Sequence, residues 1–292
     1  MQMNSYIEII NRKLDEFLPI QYPENIFKSM KYTLMLPGKR LRPILCLETC
    51  AMLGGNIEDA LPAACAVEML HAQTLIHDDL PCMDNDDYRR GELTNHKVFG
   101  EAIATLACDA LLTWAPHVIT KHSQNLSPSV IIRILNEYFH FAGANGVIAG
   151  QTVDIECENN PNITDKEQTL YYLHLHKTSD LFQLAVRIGA IIAEADDDKL
   201  DALSEFAQTF GLAFQVSDDI LDEISTFDRM GKTIGKDKLK GKLTYVSLYG
   251  LEDAKCKLSC LLDNCCDIIK KQNLKSEIIE DMVKTIRKGA GI

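Results

Sequence analysis

The chain has 292 residues, 46% hydrophobic and 25% charged, which is ample for a large core and too apolar for a disordered chain. Its formal net charge of −12 argues against a nucleic-acid partner, because duplex binding needs a concentrated basic face that displaces counterions. No positively charged start leads into an apolar leader core and no uninterrupted apolar run reaches about 18 residues, so no membrane span is expected and the expected location is the cytoplasm.

Helical periodicity opens the chain. In "YIEIINRKLDEFL", Ile7, Ile10, Leu14 and Phe17 recur at spacings of three and four. Pro37 and Gly38 punctuate the pattern before the basic stretch "GKRLR", which carries Lys39, Arg40 and Arg42. Next comes "HAQTLIHDDLPCMDNDDYRRG", which packs Asp78, Asp79, Asp84, Asp86 and Asp87 ahead of Arg89 and Arg90. A second break, "SPS" at Ser127 to Ser129, precedes the long apolar run "PSVIIRILNEYFHFAGANGVIAGQTVDIE". "TDKE" at Thr164 to Glu167 reads as a capping box before one long helix through "LYYLHLHKTSDLFQLAVRIGAIIAE". A second acidic cluster, "DDILD", holds Asp218, Asp219 and Asp222. The Gly- and Lys-rich stretch from Phe227 to Leu243 predicts a mobile loop.

No Ser/Gly-rich linker or fixed-period repeat divides the chain. The expected architecture is all-α, one domain over residues 1–292, a bundle of roughly ten helices, several apolar enough to be central. Ten cysteines raise the question of zinc or disulfides, but "CKLSCLLDNCC" lacks paired C-x-x-C spacing and nearby histidines. Small buried hydrophobes in a reducing compartment are the expected role for most of them.

The acidic clusters carry the chemistry. At about 100° per residue, Asp218 and Asp222 lie about 40° apart on one helix face, where like charges repel unless a cation sits between them. A purely solvated face is the bland alternative, but Phe214, Val216, Ile220 and Leu221 flank these acids. Six residues separate Asp78 from Asp84, and Pro81 cannot continue a helical ladder. The helix must bulge or end there if Asp84 is to rejoin Asp78; Asp86 and Asp87 suit the turn. Oxygen donors in this number fit Mg²⁺, which takes a few carboxylates and completes its shell with water and phosphate oxygens. The basic clusters then suit a small, strongly charged anion.

Five motifs, in this order, resemble the short-chain trans-polyprenyl diphosphate synthases, which include farnesyl and geranylgeranyl diphosphate synthases: "PGKRLRP", "HAQTLIHDDLPCMDNDDYRRG", "HKT", "FQVSDDILD" and "GKTIGKD" with "GKLTY". They span nearly the whole chain and are jointly specific. The resemblance implies a Mg²⁺-dependent head-to-tail condensation of isopentenyl diphosphate with an allylic diphosphate, dimethylallyl or geranyl. It implies three Mg²⁺ ions on Asp78, Asp84 and Asp218, with Asp79 and Asp222 in support. Arg89, Lys177, Gln215, Lys232 and Lys242 match positions that contact the allylic diphosphate, and Thr178 the position beside the developing cation. Lys39, Arg42, His71 and Arg90 match the isopentenyl diphosphate site. A homodimer is the expected assembly.

For product length the matching positions are Gln73 and Thr74, upstream of Asp78 toward the growing tail. Farnesyl diphosphate is the expected product, and the two-residue insertion Pro81–Cys82 accords with it. The aromatic residue common at the position of Gln73 in fifteen-carbon synthases is missing, which keeps geranylgeranyl diphosphate open. Cys108 and Ala149, where glycines are usual, read as packing changes. Two rivals remain. A class I terpene cyclase would not need "GKRLR" or Arg90, and a non-catalytic subunit of a heteromeric synthase would be expected to lose one aspartate motif.

Overall fold

The computed structural model describes residues 2–160, 162–224 and 242–292. The loop expected over 227–243 therefore lies, except for its last two residues, outside the described residues, as does Lys232. In chain order the helices are α1 (Met3–Phe17), α2 (Glu24–Met35), α3 (Leu41–Met52), α4 (Ile57–Asp79), α5 (Asn95–Phe99), α6 (Glu101–His122), α7 (Pro128–Ala142), α8 (Val147–Asn159), α9 (Lys166–Leu173), α10 (Asp180–Ile192), α11 (Asp197–Ile224), α12 (Tyr245–Tyr249), α13 (Leu251–Lys271) and α14 (Glu277–Ala290). A two-residue hairpin, Tyr88–Arg89 against Glu92–Leu93, interrupts them between α4 and α5. The all-α bundle is as expected.

Burial explains the layering. From Ala60 to Leu70 every side chain of α4 is buried, and α10 is buried at all positions except Gln183 and Arg187, so these two helices occupy the centre. α6 packs along α4, while α3 and α11 cover α10. Outer helices show one apolar stripe each, as in α1, where Tyr6, Ile10, Leu14 and Phe17 face inward. α6 is long and apolar enough, by length and composition, to cross a membrane, yet only 39% of that stretch is buried in the bundle. Five cysteines (Cys46, Cys50, Cys65, Cys108 and Cys265) are buried, Cys82, Cys256 and Cys260 are exposed, and all ten are free thiols.

Two local details depart from the sequence reading. The cap before α9 is Asp165, whose carboxylate accepts from the Gln168 backbone N–H at 3.0 Å, so the capping residue is one later than Thr164. The run from Lys166 to Ile192 is also not one regular helix, because His174 to Ser179 form a π turn between α9 and α10. Such a widened turn rotates the side chains it carries, and it is common at functional sites.

Two glycines make room for it. A Cβ on Gly150 of α8 would lie 2.2 Å from the Lys177 backbone nitrogen, and one on Gly211 of α11 would lie 2.5 Å from the Ser179 Cα. The π turn is thus gripped by bare backbone on both sides. Gly150→Ala is expected to force α8 away and destabilise the protein by about 1–3 kcal/mol, as overpacking does. A thermal melt should show a lowered Tm; an unchanged Tm would mean that the α8 contact is looser than described.

Candidate active site

The end of α4 builds the first wall. The helix stops at Asp79, and Leu80 to Asp84 fold into a turn that brings the Asp84 backbone N–H to the Asp78 carbonyl at 2.9 Å. Pro81 accounts for the stop. Asp84 thereby returns beside Asp78, as the spacing required, and both line a cavity of about 660 Å³. Asp218 and Asp222 line it from α11. Burial pushes the Asp78 carboxyl above its ordinary pKa, Lys177 and Arg89 oppose that, and Asp84 and Asp154 add to it.

Lysines face these acids. Lys177, on the π turn, is paired with Asp154 of α8. Burial lowers its pKa, but Asp78 and Asp154 outweigh burial and hold it above the ordinary value. Lys242 reaches Asp84 at 3.2 Å and Glu158 at 3.3 Å. Asp154 and Glu158, one helical turn apart on α8, were not singled out in the sequence. Their signal was two acids at i, i+4 at the end of an otherwise apolar run.

The two adjacent arginines behave differently. The Arg89 Nε donates to Asp79 at 3.0 Å, and its Nη2 donates to the same carboxylate. Asp79, expected as a supporting metal ligand, is buried, does not line the cavity and holds Arg89. Burial pushes Asp79 up to about 6 against the pull of that guanidinium. Asp86 lies 3.7 Å from Arg89 and Asp87 pairs with Lys97 at 2.7 Å. These two acids belong to the turn as expected, but they also line the cavity. Arg90 instead donates to the Leu36 carbonyl at 3.4 Å, and its guanidinium lies under Gly38, where a Cβ would come within 2.8 Å of it.

A second basic cluster forms around His71. Arg42 lies 3.5 Å from His71 Nε2 and stacks on the Phe182 ring at 4.4 Å. An arginine can only donate, so Nε2 accepts and the ring proton sits on Nδ1. That Nδ1–H and the Arg42 Nε–H are buried with no partner within the protein. Burial holds His71 well below its usual pKa, and Arg42, Arg90, Arg89 and Arg40 add to the effect. Two unpaired donors in a positive, buried corner suit an anion. Arg40 is excluded from this role: its side chain is 2% exposed, paired with Glu68 at 2.6 Å, and bonded to Asn11 and the Leu36 carbonyl. Lys39 is exposed on the same turn.

On the π turn, the Thr178 hydroxyl donates to Gln215 Oε1 at 2.6 Å, and both residues line the cavity. His174 lines it too and is pushed down to about 4 by burial. Gln73 and Thr74 line the wall upstream of Asp78, and the Cys108 thiol of α6 lies 3.8 Å from the Gln73 carbonyl. The packing role expected of Cys108 agrees with this contact.

The donor set fits Mg²⁺, because the carboxylates carried by α4 and α11 are hard oxygen ligands on one cavity. Among the described residues no three His, Cys, Asp or Glu side chains converge tightly enough to enclose a metal ion by themselves. An ion held here by one or two carboxylates would complete its shell with other oxygens, as Mg²⁺ does with water and phosphate.

Comparison with known proteins agrees with this arrangement. The family described as polyprenyl synthetase matches residues 23–286. A dimethylallyltranstransferase of Fischerella ambigua is 46% identical over 88% of the chain and 73% of its own length. The large subunit 1 of a heterodimeric, chloroplastic geranylgeranyl pyrophosphate synthase of Arabidopsis thaliana is 46% identical over 85% of the chain and 67% of its own. The crystal structure of a geranyltransferase from Helicobacter pylori, complexed with magnesium and isoprenyl diphosphate, superposes with a TM-score of 0.85 at 28% identity, covering 98% of the chain and 95% of its own.

Whether Asp79 serves Arg89 or the metal can be tested. Asp79→Asn should leave the Mg²⁺ dependence of activity unchanged and weaken allylic diphosphate binding about tenfold, or about 1.4 kcal/mol. A raised Mg²⁺ requirement would restore Asp79 to the metal.

Proposed function

This chain belongs to the polyprenyl synthetase family, and from that premise we propose that it is a Mg²⁺-dependent prenyltransferase that joins isopentenyl diphosphate head to tail to an allylic diphosphate. The observation that carries the proposal is the pairing of two unlike sites on one cavity: the carboxylates at the ends of α4 and α11 faced by Lys177 and Lys242, and a basic corner at Arg42 and His71 with unpaired donors. A cyclase, with one diphosphate to bind, would leave the second unused.

Asp78, Asp84, Asp218 and Asp222 would hold Mg²⁺, which supplies charge neutralisation to the departing diphosphate. Lys177, Lys242 and Arg89 add fixed positive charge on the same side. Asp154, Glu158 and Asp79 hold those three side chains extended before substrate arrives. Arg42 and His71 offer N–H donors to the isopentenyl diphosphate. The allylic C–O bond breaks, its electron pair leaves with diphosphate, and the isopentenyl alkene attacks the allylic carbon. The proton then lost from the new cation goes to the released diphosphate, so no histidine or glutamate base is needed. Thr178, on the cavity wall, presents oxygen to the transient cation.

Farnesyl diphosphate is the first product reading, in line with the Pro81–Cys82 turn. Geranylgeranyl diphosphate is the second, favoured because Phe214 and Tyr88 are the only Phe, Tyr or Trp rings among the described residues lining the cavity and neither lies on α4 beside Gln73. The name of the Arabidopsis relative points the same way. A homodimer accords with Leu106 (54% exposed) on α6 and Ile132 and Phe139 (67% and 60%) on α7, apolar side chains that a second copy would cover.

Incubation with isopentenyl diphosphate and each allylic primer, read by mass spectrometry, tests the reaction; absence of chain growth with every primer would refute it. Asp218→Ala should abolish elongation while the fold persists, and near wild-type elongation at limiting Mg²⁺ would remove Asp218 from the metal site. Gln73→Tyr should shorten the product by at least one isoprene unit, whereas an unchanged product distribution would place the floor elsewhere. Light scattering should return twice the chain mass, and a monomer at working concentration would contradict the dimer.

A further inference from the structure

We infer that Asp219 is a positioning residue that, through Gln215, fixes the direction in which the Thr178 hydroxyl points; this rests on the reaction proposed above. Asp219 sits beside Asp218 and lines the same cavity, but it is buried where Asp218 is half-buried. The Asp219 side chain is 4% exposed. Its Oδ1 accepts from Gln215 Nε2 at 2.9 Å and its Oδ2 accepts from the Tyr245 backbone N–H at 2.7 Å, with His174 Nε2 at 3.5 Å. One carboxylate thus ties together α11, the π turn and the segment that enters α12.

The donor and acceptor rules then leave one arrangement. An ionised carboxylate can only accept, so Gln215 must turn its NH₂ toward Asp219. Its Oε1 consequently faces Thr178 at 2.6 Å, and a carbonyl oxygen can only accept. The Thr178 hydroxyl has a single proton, which is committed to Gln215. Its oxygen lone pairs are thereby left for the cavity that both residues line. Reversing the chain of polarity would aim a proton, with its partial positive charge, at the position where the allylic cation develops. Electrostatic preorganisation of this kind acts on the transition state more than on substrate binding.

Asp219→Asn performs that reversal with little change of shape. One Asn oxygen can still take the Tyr245 N–H, but its NH₂ then faces Gln215. Gln215 must flip to present oxygen, its own NH₂ turns to Thr178, and the hydroxyl proton is released to the cavity. In the double variant Asp219→Asn/Gln215→Glu, a carboxylate at 215 accepts from both neighbours. The net charge matches that of the wild type and the Thr178 proton is again committed inward.

The expected result is a kcat about 10- to 100-fold lower for Asp219→Asn, the size of loss seen when a residue that orients a metal ligand is removed. The KM for isopentenyl diphosphate and the Mg²⁺ dependence should be unchanged, and the double variant should recover at least part of the kcat. A wild-type kcat in Asp219→Asn, a double variant no faster than the single one, or a raised Mg²⁺ requirement would overturn the inference. The Gln215 side-chain amide resonances report the Asp219 hydrogen bond without substrate and separate this idea from the reaction itself. A wild-type chain that elongates nothing overturns the reaction, while Gln215 amide shifts that Asp219→Asn leaves unmoved overturn the relay.

Discussion

Repulsion among carboxylates around one cavity is the constraint on which the rest of this structure depends. Asp78 and Asp84 come from the end of α4, and Asp218 and Asp222 from α11, while Asp154 and Glu158 line up on α8. Like charges in a half-buried space destabilise the fold unless cations answer them. Part of the answer is built in, through Lys177, Lys242 and Arg89. The proposed reaction supplies the rest as Mg²⁺. Under the proposed reaction, such an arrangement would bind metal and diphosphate together, so that neither charge is left uncompensated.

The scaffold serves that arrangement. α4 and α10 are buried on almost every side, which fixes the ends that carry Asp78 and the π turn. Gly150 and Gly211 let neighbouring helices approach the π turn closely enough to hold Lys177 and Thr178 against the cavity. Arg40, adjacent in sequence to residues proposed to bind isopentenyl diphosphate, serves structure instead. It starts α3 from a left-handed conformation, φ 48°, and pairs with Glu68 of α4. Its removal from solvent pins the turn from which Arg42 projects.

Much of this was legible in the sequence because it followed from spacing. The interval from Asp78 to Asp84 with Pro81 inside demanded a broken helix end, and the backbone bond from Asp84 to Asp78 is that break. Asp218 and Asp222 needed only the helical repeat. Other features were hidden because they depend on tertiary partners. Asp79 and Asp78 are neighbours of the same type, yet one turns to Arg89 and the other to the cavity, and only the position of the hairpin decides which. The π turn has no periodic signature in "LHLHKTSD", and the helices that pack closely against it come from elsewhere in the chain. Asp154 and Glu158 were lost in a run read as apolar, although Ile148, Gln151, Thr152 and Ile155 of α8 also line the cavity.

The most direct test of the central claim is calorimetric titration of Mg²⁺ into the protein with and without inorganic diphosphate. If metal and diphosphate share the carboxylate cavity as described, Mg²⁺ binds far more tightly when diphosphate is present, and diphosphate binds far more tightly when Mg²⁺ is present, by the same factor. Equal Mg²⁺ affinity in both conditions would contradict the account.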